Sequence, residues 1–239
     1  MYRIFAVSLI MSLFCQTSQA VEDFLWVPSF SVSQRNFEYS VNNSSINGKI
    51  ASLGFDITGI YQKRYYINFA VEKNPVTSEE EATNLLSDRV NFDRKDATVS
   101  LGYVLNESLS TFVGYKYGET TITELAGSPF VGAKTRLKGQ GFFVGAGGGW
   151  QVQDWGQLSF SAAYADMTAT YRNLSNAASK GDATGTSLVV KWKAPLWDKW
   201  FYDLSVIRHD YYYKNFDKFD ADISEQILSL RLGISYSFW

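Results

Sequence analysis

Cysteine and histidine are nearly missing from this sequence: 239 residues contain one of each, Cys15 and His209. That scarcity excludes disulfide scaffolds, Cys/His zinc sites, cysteine nucleophiles and most His-ligated metals. No apolar run reaches the ~18 residues a membrane-crossing helix needs. A formal charge of −2 leaves no basic footprint for nucleic acid. Proline occurs only four times, and charged residues make up 19 % of the chain. What is abundant is apolar and aromatic: 46 % of residues are hydrophobic and 16 % are Phe, Trp or Tyr. Such a chain is too greasy for disorder. Its composition points to one ordered, all-β domain.

The first twenty residues read differently from the rest. Met1-Tyr2-Arg3 is a short basic start, and Ile4 to Phe14 form an apolar core. Ser18-Gln19-Ala20 offers small residues at the −3 and −1 positions of a cleavage site. This layout is that of a secretory signal peptide over residues 1–20, leaving a mature domain from Val21 to Trp239. Cys15 follows Phe14 rather than a small-residue box, so a lipoprotein site is not expected.

From there alternation with a period of two dominates, the strand period rather than the helical one. Ala51, Leu53, Phe55 and Ile57 fall on one face, against Ser52, Gly54, Asp56 and Thr58. Tyr65, Ile67, Phe69 and Val71 repeat the pattern, as do Val113, Tyr115 and Tyr117 against Gly114, Lys116 and Gly118. Leu204 and Val206 oppose Asp203 and Ser205, while a run near 30–41 is less regular. The reading yields about ten strands. Short connections at 62–64, 106–108, 153–156 and 197–199 alternate with longer polar ones at 42–48, 74–94, 122–138, 173–185 and 214–224. Tyr and Trp gather beside the short turns. Together these features predict a transmembrane antiparallel up-and-down β-barrel, apolar outside, with short turns at one end and long loops at the other.

Seven charges fall on the face opposite the apolar one: Asp56, Glu72, Lys116, Lys191, Lys193, Asp203 and Arg231. They are expected to form a paired network in the lumen, because unpaired charge there is costly. A tight 197–199 turn would set Lys193 opposite Asp203.

Residues 228–239 carry a more specific signal. Phe238, Tyr236, Ile234, Leu232 and Leu230 stand at steps of two, with Trp239 after them. This ending resembles the C-terminal assembly signal of Gram-negative outer-membrane β-barrel proteins. The resemblance implies residence in the outer membrane among lipid and lipopolysaccharide. It also implies biogenesis through periplasmic chaperones and the barrel-assembly machinery. The strand number is that of omptin proteases and of the OpcA-type adhesin, but no motif of either is evident.

Chemistry is sparse. His209-Asp210, with Asp93 or Asp96, offers a general-base grouping of omptin kind, but neighbours on a strand face opposite ways. A lipid-modifying hydrolase needs a serine beside the histidine, and in sequence His209 is flanked by Arg208, Asp210 and Tyr211. The glycine run 145–149 lies within a strand and forms no phosphate loop. Ser78-Glu79-Glu80-Glu81 reads as a capping box entering a helical turn through Leu85 and Leu86. Arg94, Lys95, Lys134, Arg136, Lys138, Arg172, Arg208 and Lys214 form a basic rim that suits lipopolysaccharide phosphates. No cofactor is expected. The leading expectation is a non-enzymatic scaffold with surface loops and a largely filled lumen; the alternatives are a narrow passive pore and a surface hydrolase.

Overall fold

A computed structural model describes residues 24–238, except 42–43, 76–77, 84–88, 125–133, 173–174, 176, 219 and 221. Residues 1–20, expected to be a signal peptide, and Trp239 of the expected assembly signal lie outside the described residues. The chain forms one antiparallel sheet closed on itself. Its strands are β1 (Phe24–Val41), β2 (Ser44–Tyr61), β3 (Tyr65–Lys73), β4 (Ser78–Thr83), β5 (Arg89–Asn106) and β6 (Leu109–Glu124). They continue with β7 (Lys134–Gln151), β8 (Gln157–Arg172), β9 (Ala178–Trp197), β10 (Trp200–Lys214) and β11 (Ile223–Tyr236). β3 and β4 both pair with β2 and β5, one above the other, so they share one stave. The barrel therefore has ten staves, closed where β1 pairs with both β2 and β11.

The registers fix its shape. From Asn36, paired neighbours run through Leu228, Arg208, Leu188, Ala162 and Ala146. They continue through Thr111, Tyr103, Tyr65 and Tyr61 to Phe24, on β1 again but twelve residues lower. A twelve-residue stagger over ten staves tilts the strands by about 40° at ordinary strand spacings. At the short-turn end the backbone reverses tightly. Gln62 and Lys63 both take positive φ, 50° and 54°, and the Arg64 amide donates to the Tyr61 carbonyl at 3.0 Å. That conformation has the twist a two-residue hairpin requires.

The outer face carries a bare apolar belt. Phe30, Phe142, Val144, Leu188, Leu204 and Leu230 are all exposed, Phe142 by 74 %. On β11 it runs from Leu228 to Phe238 and on β7 from Phe142 to Trp150, a height of about 20–25 Å at this tilt. Aromatic rings crowd its lower edge: Trp197 against Trp200 at 6.0 Å, Trp200 against Tyr236 at 5.0 Å, and Tyr65 against Tyr103 at 5.2 Å. Such rings settle where an apolar body and a polar tip are both satisfied.

Above the belt the strands do not stop. The expected long connections are largely strand: 44–48, 89–94, 134–138 and 178–185 all lie in the ladder. Ser78–Thr83 is β4, not the start of a helical turn; its cross-strand partners on β5 satisfy the backbone that a helix would have satisfied internally. Leu85 and Leu86 lie outside the described residues. In this upper third the two faces exchange character. Outward positions become polar, with Asn36, Glu38, Lys49, Lys95, Asp166 and Asp182, while Phe37, Tyr39, Ile46, Ile50, Phe92, Ile223 and Ile227 are buried inside. β1 alone displays the exchange: inward it reads Ser29, Ser31, Ser33, Arg35, Phe37, Tyr39, and outward Phe30, Val32, Gln34, Asn36, Glu38. The upper barrel thus obeys the rule for a protein in water and the lower barrel the rule for lipid.

Candidate functional site in the filled lumen

Interleaved with the upper apolar side chains lies a layer of paired charge. Arg35 on β1 contacts Glu72 at 2.6 Å and Asp96 at 2.9 Å. Arg94 contacts Asp96 at 2.8 Å and also pairs with Glu225, and Arg231 pairs with Glu72. Arg94 and Glu225 are 2 % and 0 % exposed. The carboxylate of Glu225 further accepts from Thr120 at 2.6 Å and Tyr213 at 2.9 Å, and Ser33 donates to Glu72 at 2.5 Å. Asn74 ties this layer to the backbone, accepting from the Arg94 amide at 2.7 Å and donating to the Phe92 carbonyl at 3.2 Å. Three guanidiniums and three carboxylates from β1, β3, β5 and β11 therefore close across the lumen. Each ion has at least one partner, and Arg35, Glu72, Arg94 and Glu225 are buried, the condition under which buried charge is tolerable.

All seven charges singled out in the sequence face inward, but only two of them, Glu72 and Arg231, join this layer. Asp203 stands opposite Lys193 in the ladder, yet its ion partner is Lys191 at 3.8 Å; the Lys193 ammonium instead lies 4.7 Å over the Phe201 ring. Asp56 lies inward on β2, and Lys116 donates to the Tyr211 hydroxyl. Gly233 makes room for Asp203: a Cβ there would meet the carboxylate at 2.5 Å. Arg35, Arg94, Asp96 and Glu225 are the members that the pattern of apolar residues did not mark. Arg94 is not a rim cation but a buried one, because it is in phase with Thr98 and Ser100 on the inward face of β5. Glu225 is likewise in phase with Ser229 and Arg231, and Arg35 with Ser33.

The remaining basic positions point outward above the belt. Lys95 meets Glu119 at 3.0 Å, Lys138 lies 4.8 Å over the Tyr117 ring, and Arg136 stands directly opposite Arg172. Arg208 pairs with Asp210 at 2.9 Å on this outer surface, whereas His209 turns inward. His209 is not a rim residue, and it does have a serine beside it: Ser187, its cross-strand partner, hydrogen-bonds its Nδ1. The pair is joined across β9 and β10 and sits inside the barrel, beside the charge network.

At the opposite end of the chain, Leu230, Leu232, Ile234, Tyr236 and Phe238 share the outward face. Phe238 extends β11 by a bridge to Trp26, its amide donating at 2.8 Å.

Comparison of folds decides the class. The chain is similar to the outer membrane protease OmpT from Escherichia coli, with a TM-score of 0.61 and 10 % identity over 93 % of this chain and all of that one. The fold is that of a Gram-negative outer-membrane β-barrel. It is also similar to the translocator domain of the autotransporter NalP from Neisseria meningitidis, with a TM-score of 0.51 and 12 % identity over 98 % and 95 % of the two chains. No protein-family model matches the sequence, and no curated protein does. At this identity the likeness is one of fold, not of chemistry. This outer-membrane barrel carries its own evidence of residence: a belt of exposed side chains as tall as the hydrocarbon it meets.

Proposed function

We propose that the chain is a non-enzymatic outer-membrane scaffold, sealed by its own interior, that presents a polar collar and its upper hairpins at the cell surface. The observation that supports this reading is the filled upper lumen: the Arg35–Glu72–Asp96–Arg94–Glu225 network interleaved with the buried side chains of Phe37, Phe92, Ile46, Ile50, Ile223 and Ile227. An ion crossing it would break buried pairs and pass among apolar side chains, two costs that add. A pore would need the charges lining an open path. A surface hydrolase would need its nucleophile open to the cell surface, and Ser187 and His209 face the lumen beside the network. Export by removal of residues 1–20 and assembly through Leu230, Leu232, Ile234, Tyr236, Phe238 and Trp239 belong to the same proposal. So does capture by periplasmic chaperones and the barrel-assembly machinery. Planar-bilayer recording of the refolded protein tests the sealed lumen. Wild type is expected to be silent; discrete openings that change in Arg231→Ala or Lys191→Ala would overturn it.

A further inference from the structure

Beside this filling the lumen holds a space that sealing does not require. It is a cavity of about 170 Å³. An engineered apolar cavity of about 150 Å³ accepts benzene, so the size suits a single aromatic ring. Its walls are mainly apolar: Phe112 and Phe143 meet edge to face at 6.1 Å, with Ala163 and Val189 beside them. Its polar groups are few: the hydroxyls of Thr98 and Ser161 on the wall, and a cluster of Lys116, Tyr211 and the Ser187–His209 pair that holds its one cation. An apolar recess with a few placed polar groups is the ordinary form of a small-molecule site.

That cluster has a sign. Lys116 donates to the neutral Tyr211 hydroxyl and lies 4.9 Å over its ring, and it forms no ion pair with any described carboxylate. Asp96, the nearest inward acid on the adjoining strand, is already held by Arg35 and Arg94. The cavity shares Phe112, Phe143, Ser161 and Val189 with a vestibule of about 580 Å³ that reaches the short turn at Asn106–Ser108. We propose that this cavity binds a small organic carboxylate of single-ring size, admitted from the periplasm, with Lys116 as the anion's partner and Phe112 and Phe143 as its walls. Only the side of entry rests on the sealed-scaffold reading.

The test uses benzoate, with benzyl alcohol as its neutral counterpart, on the full refolded barrel in lipid nanodiscs, followed by calorimetry and saturation-transfer NMR. Benzoate is expected to bind one to one and at least about tenfold more tightly than benzyl alcohol, the scale of one charge-assisted hydrogen bond. Lys116→Met is expected to weaken benzoate by about ten- to a hundredfold and leave the alcohol unchanged. Lys191→Met, in the vestibule, should leave both unchanged, and Ala163→Leu, which fills the space, should abolish both. Equal binding of acid and alcohol, benzoate binding indifferent to Lys116→Met, or no binding at millimolar concentration would each overturn the proposal. If Lys116→Met does not fold, as judged by heat-modifiable gel mobility, the acid–alcohol comparison and Ala163→Leu decide the matter. A barrel that conducts yet still prefers benzoate would refute the seal and leave the site standing.

Discussion

Replacing Glu225 by leucine probes the charge layer at its most buried point. The change strands Arg94, whose guanidinium is 2 % exposed and would keep, besides the Thr120 hydroxyl at 2.8 Å, only one carboxylate, that of Asp96, itself shared with Arg35. Breaking a buried pair from one side costs about 3–5 kcal/mol. The Thr120 and Tyr213 hydroxyls also lose their acceptor, at about 1 kcal/mol each where water does not reach. A total loss of about 5–7 kcal/mol should lower the urea midpoint of the barrel in micelles by about 2 M. The decisive comparison is the pair Arg94→Met with Glu225→Leu. Both new side chains would join Phe92, Ile122, Ile223 and Ile227, which are already apolar and buried. Because a buried ion pair recovers little beyond its own desolvation, the double variant should regain more than half of the loss. The reasoning fails if Glu225→Leu alone costs under about 1 kcal/mol, or if the double variant loses the sum of both single changes.

Three further outcomes follow from the faces of the barrel. Leu204→Arg, at mid-height of the belt, should cost about 2–4 kcal/mol in urea titration, whereas Tyr212→Arg, above Val206, the last exposed aliphatic position of β10, should cost under about 1. Arg136→Glu, opposite Arg172 in the collar, should reduce co-purifying lipopolysaccharide on a phosphate assay without moving the urea midpoint; unchanged lipopolysaccharide would remove the collar from lipid contact. Asp217 accepts from the Ser179 hydroxyl at 2.6 Å and the Lys180 amide at 2.9 Å, and these bonds hold its carboxyl below the ordinary Asp value. A lowered value means that its contribution is complete above the unfolded-state pKa and is lost as pH falls through the folded one. The Lys180 amide resonance should therefore titrate at a pH below that of a free aspartate and stop titrating in Asp217→Asn.

Where the environment outside the wall is constant, the sequence was readable. From Ala51 to Tyr61, or Leu228 to Phe238, lipid enforces one parity, and the alternation alone told inside from outside, along with the ten staves and the inward position of all seven marked charges. The upper strands were misread as loops for a physical reason. In β1 the apolar parity is even at Phe30 and Val32 and odd at Phe37 and Tyr39, so a search for one apolar face finds irregularity near 34–36. The same slip of parity hid Arg94 and Glu225, which lie at the crossover. Ser187 beside His209 was invisible because the two are joined by register across β9 and β10, not by spacing. The backbone ladder, by contrast, runs through the crossover on every stave but the one shared by β3 and β4, and that continuity is what a parity rule cannot detect.

The placement of the charge layer follows from that crossover. Below it the inward face needs no apolar residues, because the belt outside supplies the burial by lying in lipid, and small residues such as Ser29, Ser31, Ser205 and Ser229 suffice. Above it the wall stands in water on its outer side, so the only apolar burial available is inward, and Phe92, Ile223 and their neighbours make a core of ordinary soluble kind. At the boundary neither source is complete. The inward residues there meet that core on one side and a less filled lumen of hydroxyls, small residues and the Phe112–Phe143 pair on the other, a setting in which long guanidinium and carboxylate groups reach across a barrel about 20 Å wide between backbones. Paired charge is what spans such a gap with direction: each of Arg35 and Arg94 holds two carboxylates from different chain positions. The network thus fixes the relative height of β1, β3, β5 and β11 at the level where the apolar pattern ceases to specify register.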